Sequence, residues 1–128
     1  MPLRVLIVDD NRDAADSLGL LFELVGANVR VCYGGVDALR QVEDFSPHVG
    51  LFDIDMPGMT GLELAREMRK RPVEGPLLLV AVTGVSSEEA RKQTTAAGFD
   101  AHVTKPADGA ELIRVAKTFY RANDPGQA

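Results

Sequence analysis

Three stretches of the chain, Val5-Leu6-Ile7-Val8, Val49-Gly50-Leu51-Phe52 and Leu77 to Val82, are apolar without interruption. A strand with one wet face alternates polar and apolar residues, whereas an unbroken run suits a strand buried on both faces. Such strands belong to a parallel sheet with helices packed on either side. Two further runs, Asn28-Val29-Arg30-Val31-Cys32 and Ala101-His102-Val103-Thr104, interleave polar residues and suit the edges of that sheet. Between the runs, Leu18, Leu21, Phe22 and Val25 recur at three-and-four spacing, as do Ala38, Val42 and Phe45, and then Leu112, Val115 and Phe119. Each set predicts a core-facing helical stripe. The segment from Ser87 to Ala97 offers only Ala90, Ala96 and Ala97 as apolar residues, so this fourth helix is expected to be loosely held. With the second and fifth strands at the edges, the expected fold is α/β and doubly wound with right-handed crossovers, and the strand order 2-1-3-4-5 is one arrangement that satisfies this pattern. Strands 1 and 3 are then neighbours whose connections leave toward opposite faces, which opens a crevice at their carboxyl ends.

At 128 residues and 45% hydrophobic, the chain is long enough for one core and too short for two ordinary domains. Residues 1–122 are expected to form that domain, with a flexible polar tail over 123–128. Nineteen acidic against fourteen basic side chains give a net charge of −5. That balance offers no field for phosphate backbones, and two Tyr, five Phe and no Trp leave little to stack on bases, so no direct nucleic-acid binding is expected. The basic cluster Arg66, Arg69, Lys70 and Arg71 reads as a solvated face near a helix C-terminus. A single cysteine, Cys32, builds no disulfide framework and is expected to be a buried, inert thiol in a reducing cytoplasm. The N-terminus has too few apolar residues for a signal-peptide core, and no run approaches the roughly 20 residues of a membrane span.

Strand 1 ends in Asp9-Asp10, strand 3 in Asp53-Ile54-Asp55, strand 4 in Thr83-Gly84 and strand 5 in Thr104-Lys105-Pro106. Each residue alone has a local explanation: Asp9 or Asp10 as a helix cap, Asp53 as an Asx-turn, Thr83 as another cap, Lys105 as a surface cation. Together, Asp9, Asp10 and Asp53 in one crevice repel one another unless something positive lies between them. Magnesium answers that need, since it takes oxygen ligands, few of them carboxylates, and completes its shell with phosphate oxygens. Lys105 then offers a charge to one phosphoryl oxygen and the Thr83 hydroxyl a hydrogen bond to another. An aspartate can attack phosphorus to give an acyl phosphate, and Asp53 is the best placed to do so.

These residues resemble the receiver domain of two-component response regulators over nearly the whole chain. The signatures are Leu6-Ile7-Val8-Asp9-Asp10, Leu51-Phe52-Asp53-Ile54-Asp55-Met56-Pro57-Gly58-Met59-Thr60-Gly61, Val82-Thr83-Gly84 and Val103-Thr104-Lys105-Pro106, in the family's order. The resemblance implies a flavodoxin-like (βα)5 fold with Asp53 as phosphoacceptor. It also implies magnesium held directly by Asp10 and Asp53, through water by Asp9, and by the backbone carbonyl of Asp55. Thr83 is implied as the switch hydroxyl and Lys105 as the phosphate-binding cation, with a cis bond before Pro106. His102 stands at the family's aromatic switch position. It reads either as a partly exposed polar residue or as a group that turns inward when Thr83 moves, remodelling the surface of the fourth helix, fifth strand and fifth helix for a downstream protein. The implied donor is a histidine kinase or a histidine phosphotransfer protein, and the implied chemistry is confined to the chain's own aspartate.

Gly84 keeps the side chain after Thr83 small, and Gly61 is read as serving the backbone where the third helix begins. Asp55 and Val85 occupy positions that the family uses to tune dephosphorylation. The stretch from Gly98 to Ala107 looks more like receivers attached to hybrid histidine kinases than like those of DNA-binding regulators. Two rival readings remain at this stage. Asp53-Ile54-Asp55 with Thr83 and Lys105 also resembles haloacid dehalogenase-type phosphatases, although the acid pair precedes Asp53 and no acidic motif follows the lysine strand. The other rival is an interaction module that keeps the fold without the chemistry, against which the full set of site residues argues.

Overall fold

The computed structural model describes residues 2–123. Strands and helices alternate as β1 (Arg4–Val8), α1 (Arg12–Leu24), β2 (Asn28–Cys32), α2 (Gly35–Phe45), β3 (Val49–Asp53), α3 (Gly61–Arg69), β4 (Leu78–Thr83), α4 (Glu88–Ala97), β5 (Ala101–Thr104) and α5 (Gly109–Asn123). All pairings are parallel, in the order β2-β1-β3-β4-β5, so both polar-interleaved strands lie at the edges as expected. The tail expected over 123–128 lies, from residue 124 on, outside the described residues; Asn123 itself ends α5. Among the described residues, no helix is long and apolar enough to cross a membrane.

The register explains why the central strands carry no polar residue between their first and last positions. Val31, Ile7, Leu51, Val80 and Ala101 form one row across the sheet, and Cys32, Val8, Phe52, Ala81 and His102 form the next. Neighbouring rows face opposite sides. The first belongs to a core with Ala15 and Phe22 of α1 and Leu112 and Ala116 of α5. The second belongs to a core with Ala38 and Val42 of α2 and Leu64 and Met68 of α3. Every residue of β3 is buried, and that strand carries Asp53 at its end.

Three details correct or sharpen the sequence-based expectations. The stripe expected on α1 is displaced: Ala15, Gly19 and Phe22 are its buried residues, while Leu21 and Val25 are each 43% exposed. A Cβ on Gly19 would lie 2.8 Å from Val31 Cγ2, so a glycine here lets α1 approach β2 closely. Cys32 is fully buried as expected, and burial first, then the charge of Asp37, push its thiol up to about 12. On α4, only Thr94 and Ala97 are buried, in keeping with its thin supply of apolar residues.

Arg69 lies on the exposed face expected for the basic cluster, but it is more than a solvated charge. Its Nε donates to the Gly98 carbonyl at 2.9 Å, one terminal nitrogen to the Leu77 carbonyl at 2.9 Å, and the other to Asp100 Oδ2 at 2.6 Å. Asp100 Oδ2 also accepts from the Leu79 N–H. One guanidinium thus ties α3 to the start of β4 and to the turn after α4. The ion pair is partly exposed and adds little by itself, but the two carbonyl bonds add to it. Arg69→Met is expected to lower stability by about 2 kcal/mol, read as a lower urea midpoint at unchanged slope.

Candidate functional site

The topology brings the carboxyl ends of β1, β3, β4 and β5 to one edge of the sheet, and the site is built from the last residues of β3 and β4 and the first residues after β1 and β5. Asp9 stays tied to the edge by its N–H, which donates to the Cys32 carbonyl at 3.1 Å. Neither Asp9 nor Asp10 caps α1. That role falls to Asn11, whose side chain accepts from the Ala14 N–H at 3.1 Å, while Asp9 Oδ1 accepts from the Asn11 N–H at 2.9 Å. Both aspartates therefore keep carboxylate oxygens for the crevice. One oxygen from each of Asp9, Asp10 and Asp53 lies within 4.8 Å of the others.

Asp53 is the buried member, at 5% exposure, with Asp9 half-buried and Asp10 exposed. Lys105 Nζ donates to Asp53 Oδ1 at 2.9 Å and stands 3.9 Å from Asp9 Oδ2. Burial raises the pKa of the Asp53 carboxyl, helped by the charge of Asp9 and opposed by the hydrogen bond and charge of Lys105. On Lys105, burial pulls downward, but the hydrogen bond and charge of Asp53, joined by Asp9 and Asp10, outweigh it and leave the ammonium held above its usual range. Three carboxylates face one ammonium, so the crevice is electron-rich in hard oxygen donors. Such a set fits a hard divalent cation, with Asp9, Asp10 and Asp53 as the side chains able to hold it.

Thr83 is buried, and its Oγ1 accepts from the Val85 N–H at 3.2 Å, a local turn at the start of the loop to α4. Ser87 is the residue that caps α4. A Cβ on Gly84, the residue after Thr83, would meet nothing within 4 Å, so the space a side chain there would enter is open. The Lys105–Pro106 bond is cis, as expected, and the Lys105 N–H donates to the Thr83 carbonyl at 2.7 Å. Asp55 is exposed in the loop after β3.

His102 lies on the α4 side of β5, in the row of Phe52 and Ala81. A cavity of about 140 Å³ beside it is lined by Thr83, Val85, Thr94, Leu62, Ile54 and Asp55, among others. The geometry thus brings Asp9, Asp10, Asp53 and Lys105 into one cluster, with Thr83 at its rim and His102 one layer behind.

Sequence reading understated one residue, Gly61. A Cβ there would lie 2.3 Å from the Asp53 carbonyl oxygen and 2.8 Å from Ile54 Cα, while the Gly61 N–H donates to the Ile54 carbonyl at 2.9 Å. The start of α3 is pressed against the backbone that carries Asp53. Its φ is not among the positive ones, so close approach, and not backbone freedom, demands the glycine. Its place at the end of the Asp53 motif was the available signal.

Residues 5–117 match the family model of the response regulator receiver domain. The chain is 36% identical over 121 residues to an uncharacterized 14.6 kDa protein in the sodA1 3′ region of Leptolyngbya boryana, covering 94% of this chain and 92% of that one. It is 31% identical over 127 residues to response regulator MprA of Mycobacterium sp. (strain KMS), covering 99% of this chain but only 54% of MprA. Among solved structures, it is similar to a response regulator receiver domain protein (CheY-like) from Methanospirillum hungatei JF-1, at 32% identity and a TM-score of 0.83, covering 92% of this chain and 93% of that one.

Proposed function

The chain belongs to the response regulator receiver domain family, and on that footing we propose that Asp53 accepts a phosphoryl group and that the product switches the face formed by α4, β5 and α5 for protein binding. The observation that carries this reading is the buried Asp53 carboxylate, hydrogen-bonded to Lys105 and flanked by Asp9 and Asp10. The donor is a phosphohistidine of a histidine kinase or histidine phosphotransfer protein. An Asp53 carboxylate oxygen attacks phosphorus in line, the P–O bond forms as the P–N bond breaks, and the imidazole of the donor leaves.

Magnesium would be held by Asp10 and Asp53, by Asp9 through water and by the Asp55 backbone carbonyl; when bound it neutralises charge on the phosphoryl oxygens. Lys105 orients a phosphoryl oxygen, and Thr83, drawn from its turn with Val85, donates to another. Phosphorylation replaces the single charge of Asp53 by a group of about −2, and the surplus negative charge draws Thr83 and Lys105 inward. The cavity behind Thr83 gives the His102 ring a place to follow, and α4, with so little buried, moves at small cost. The reaction is confined to the chain's own phosphorylation and dephosphorylation. The reading places it in the cytoplasm with a downstream protein partner, and without direct nucleic-acid contact.

Incubation with acetyl phosphate tests this. One added phosphoryl group per chain is expected by intact mass with magnesium, and none with a chelator. Turnover of phosphate esters would assign the phosphatase reading instead. Failure of both acetyl phosphate and beryllofluoride to bind would leave an interaction module.

A further inference from the structure

The hydrogen bonds of His102 do not balance for a neutral ring. Its Nε2 faces the Val85 carbonyl at 3.1 Å, an oxygen that can only accept. Its Nδ1 faces Thr94 Oγ1 at 3.3 Å, and that hydroxyl already donates to the Arg91 carbonyl at 3.0 Å. A neutral imidazole carries one N–H. It can keep the Val85 bond and leave Nδ1 against a lone pair, or turn the Thr94 hydrogen toward itself and forfeit the Arg91 bond. Only the imidazolium, with an N–H on each nitrogen, makes all three bonds at once.

The ring is thus a bridge between the loop after β4, through Val85, and the helix α4, through Thr94. We infer that protonated His102 is a latch that pins this loop to α4 in the unphosphorylated protein, and that loss of the proton releases it. The charged surroundings are sparse. Asp55 lines the same cavity from the loop after β3, Arg91 on α4 presents its carbonyl, Glu88 and Glu89 lie in the first turn of α4, and Lys105 beyond β5 is engaged with Asp53. β4 contributes no charge. Imidazole is the side chain whose charge ordinarily changes between about pH 5 and 8.

The consequence for signalling rests on the phosphorylation reading above. If the switched arrangement needs the ring to leave Val85 and Thr94, the unswitched arrangement binds the proton more tightly. Acid then favours the unswitched state, and rising pH favours activation.

The test has two arms on the whole chain. In amide NMR spectra of the unphosphorylated protein, the Val85 and Thr94 resonances are expected to move with the midpoint of the His102 ring, and not at all in His102→Phe. In the second arm, beryllofluoride with magnesium is titrated against wild type and His102→Phe across about pH 5 to 8. The variant as reference cancels the titration of the acidic site and of fluoride. Relative to it, wild-type affinity is expected to rise roughly three- to tenfold with pH, the worth of one hydrogen bond. Thr94→Val, which removes one acceptor at constant shape, is expected to shrink that ratio. A His102 ring that titrates while Val85 and Thr94 stay still overturns the latch, as do parallel pH profiles for the two proteins. If neither protein binds beryllofluoride, the phosphorylation reading fails, and the amide shifts alone decide the latch.

Discussion

Asp53→Asn is expected to take up no phosphoryl group from acetyl phosphate at any magnesium concentration, while folding at least as stably as the wild type. The two halves of this expectation have different causes. The amide is no nucleophile toward phosphorus, so the acyl phosphate cannot form. The fold, however, loses a buried carboxylate that burial and the charge of Asp9 already oppose. Asparagine has nearly the same shape, and its carbonyl oxygen still accepts from Lys105, now 2.9 Å from Asp53 Oδ1. Relief of the acidic crowding is expected to offset the weaker bond, for a net change between zero and about +1 kcal/mol. Magnesium affinity is expected to fall at least about tenfold, because one of very few charged ligands is gone. Intact mass, urea unfolding and a magnesium titration on one preparation read all three. A variant that still acquires the label would move the acceptor to another side chain.

Gly61→Ala is expected to slow the chemistry and destabilise the fold while leaving every reactive group in place. The added methyl would sit 2.3 Å from the Asp53 carbonyl oxygen, 2.8 Å from Ile54 Cα and 3.0 Å from the Asp53 carbonyl carbon. All three are backbone atoms, so no side chain can rotate away. Either α3 lifts off the end of β3, breaking the 2.9 Å bond from the Gly61 N–H to Ile54, or the Asp53 backbone shifts. Overpacking of this kind costs about 3 kcal/mol, and the labelling rate is expected to fall more than about tenfold, since small displacements of a reacting group are costly. Gly58 provides the control. Its φ is +75° but a Cβ there meets nothing within 4 Å, so Gly58→Ala is expected to cost only about 1 kcal/mol of backbone strain and to keep the label. Equal behaviour of the two variants would show that the close approach at Gly61 does not matter.

The strands and the two edges were legible because burial on two faces leaves an unmistakable trace: Leu6-Ile7-Val8 and Leu51-Phe52 have no polar residue to hide, while Arg30 and His102 mark the edges; the order of the three inner strands is allowed by that pattern but not fixed by it, and came with the family resemblance. The site was legible for a related reason, since parallel strands deliver their last residues to one edge and the polar residues stand just past each apolar run. The α1 stripe was not. Leu18, Leu20, Leu21, Phe22, Leu24 and Val25 are apolar around most of the helix, so spacing alone could not choose the face, and the sheet chose the small residues Ala15 and Gly19 with Phe22. The role of Arg69 was hidden as well. Its partners Leu77, Gly98 and Asp100 lie 8 to 31 residues away and become neighbours only after β4 and β5 pair. Local pattern cannot report a bond whose geometry exists only in the finished fold.

The state of Cys32 has a practical consequence for following the switch by spectroscopy. It is the chain's single cysteine, it is fully buried, and with burial pushing its thiol up to about 12 it presents far less thiolate at neutral pH than an ordinary cysteine. A maleimide therefore finds almost no native target. A cysteine placed at exposed Val85 or on the outer face of α4 would take a fluorophore or spin label in an otherwise silent background, with no need to remove the native one. The same packing that buries Cys32 at the end of β2 makes the protein a ready host for single-site probes of how its fourth helix moves.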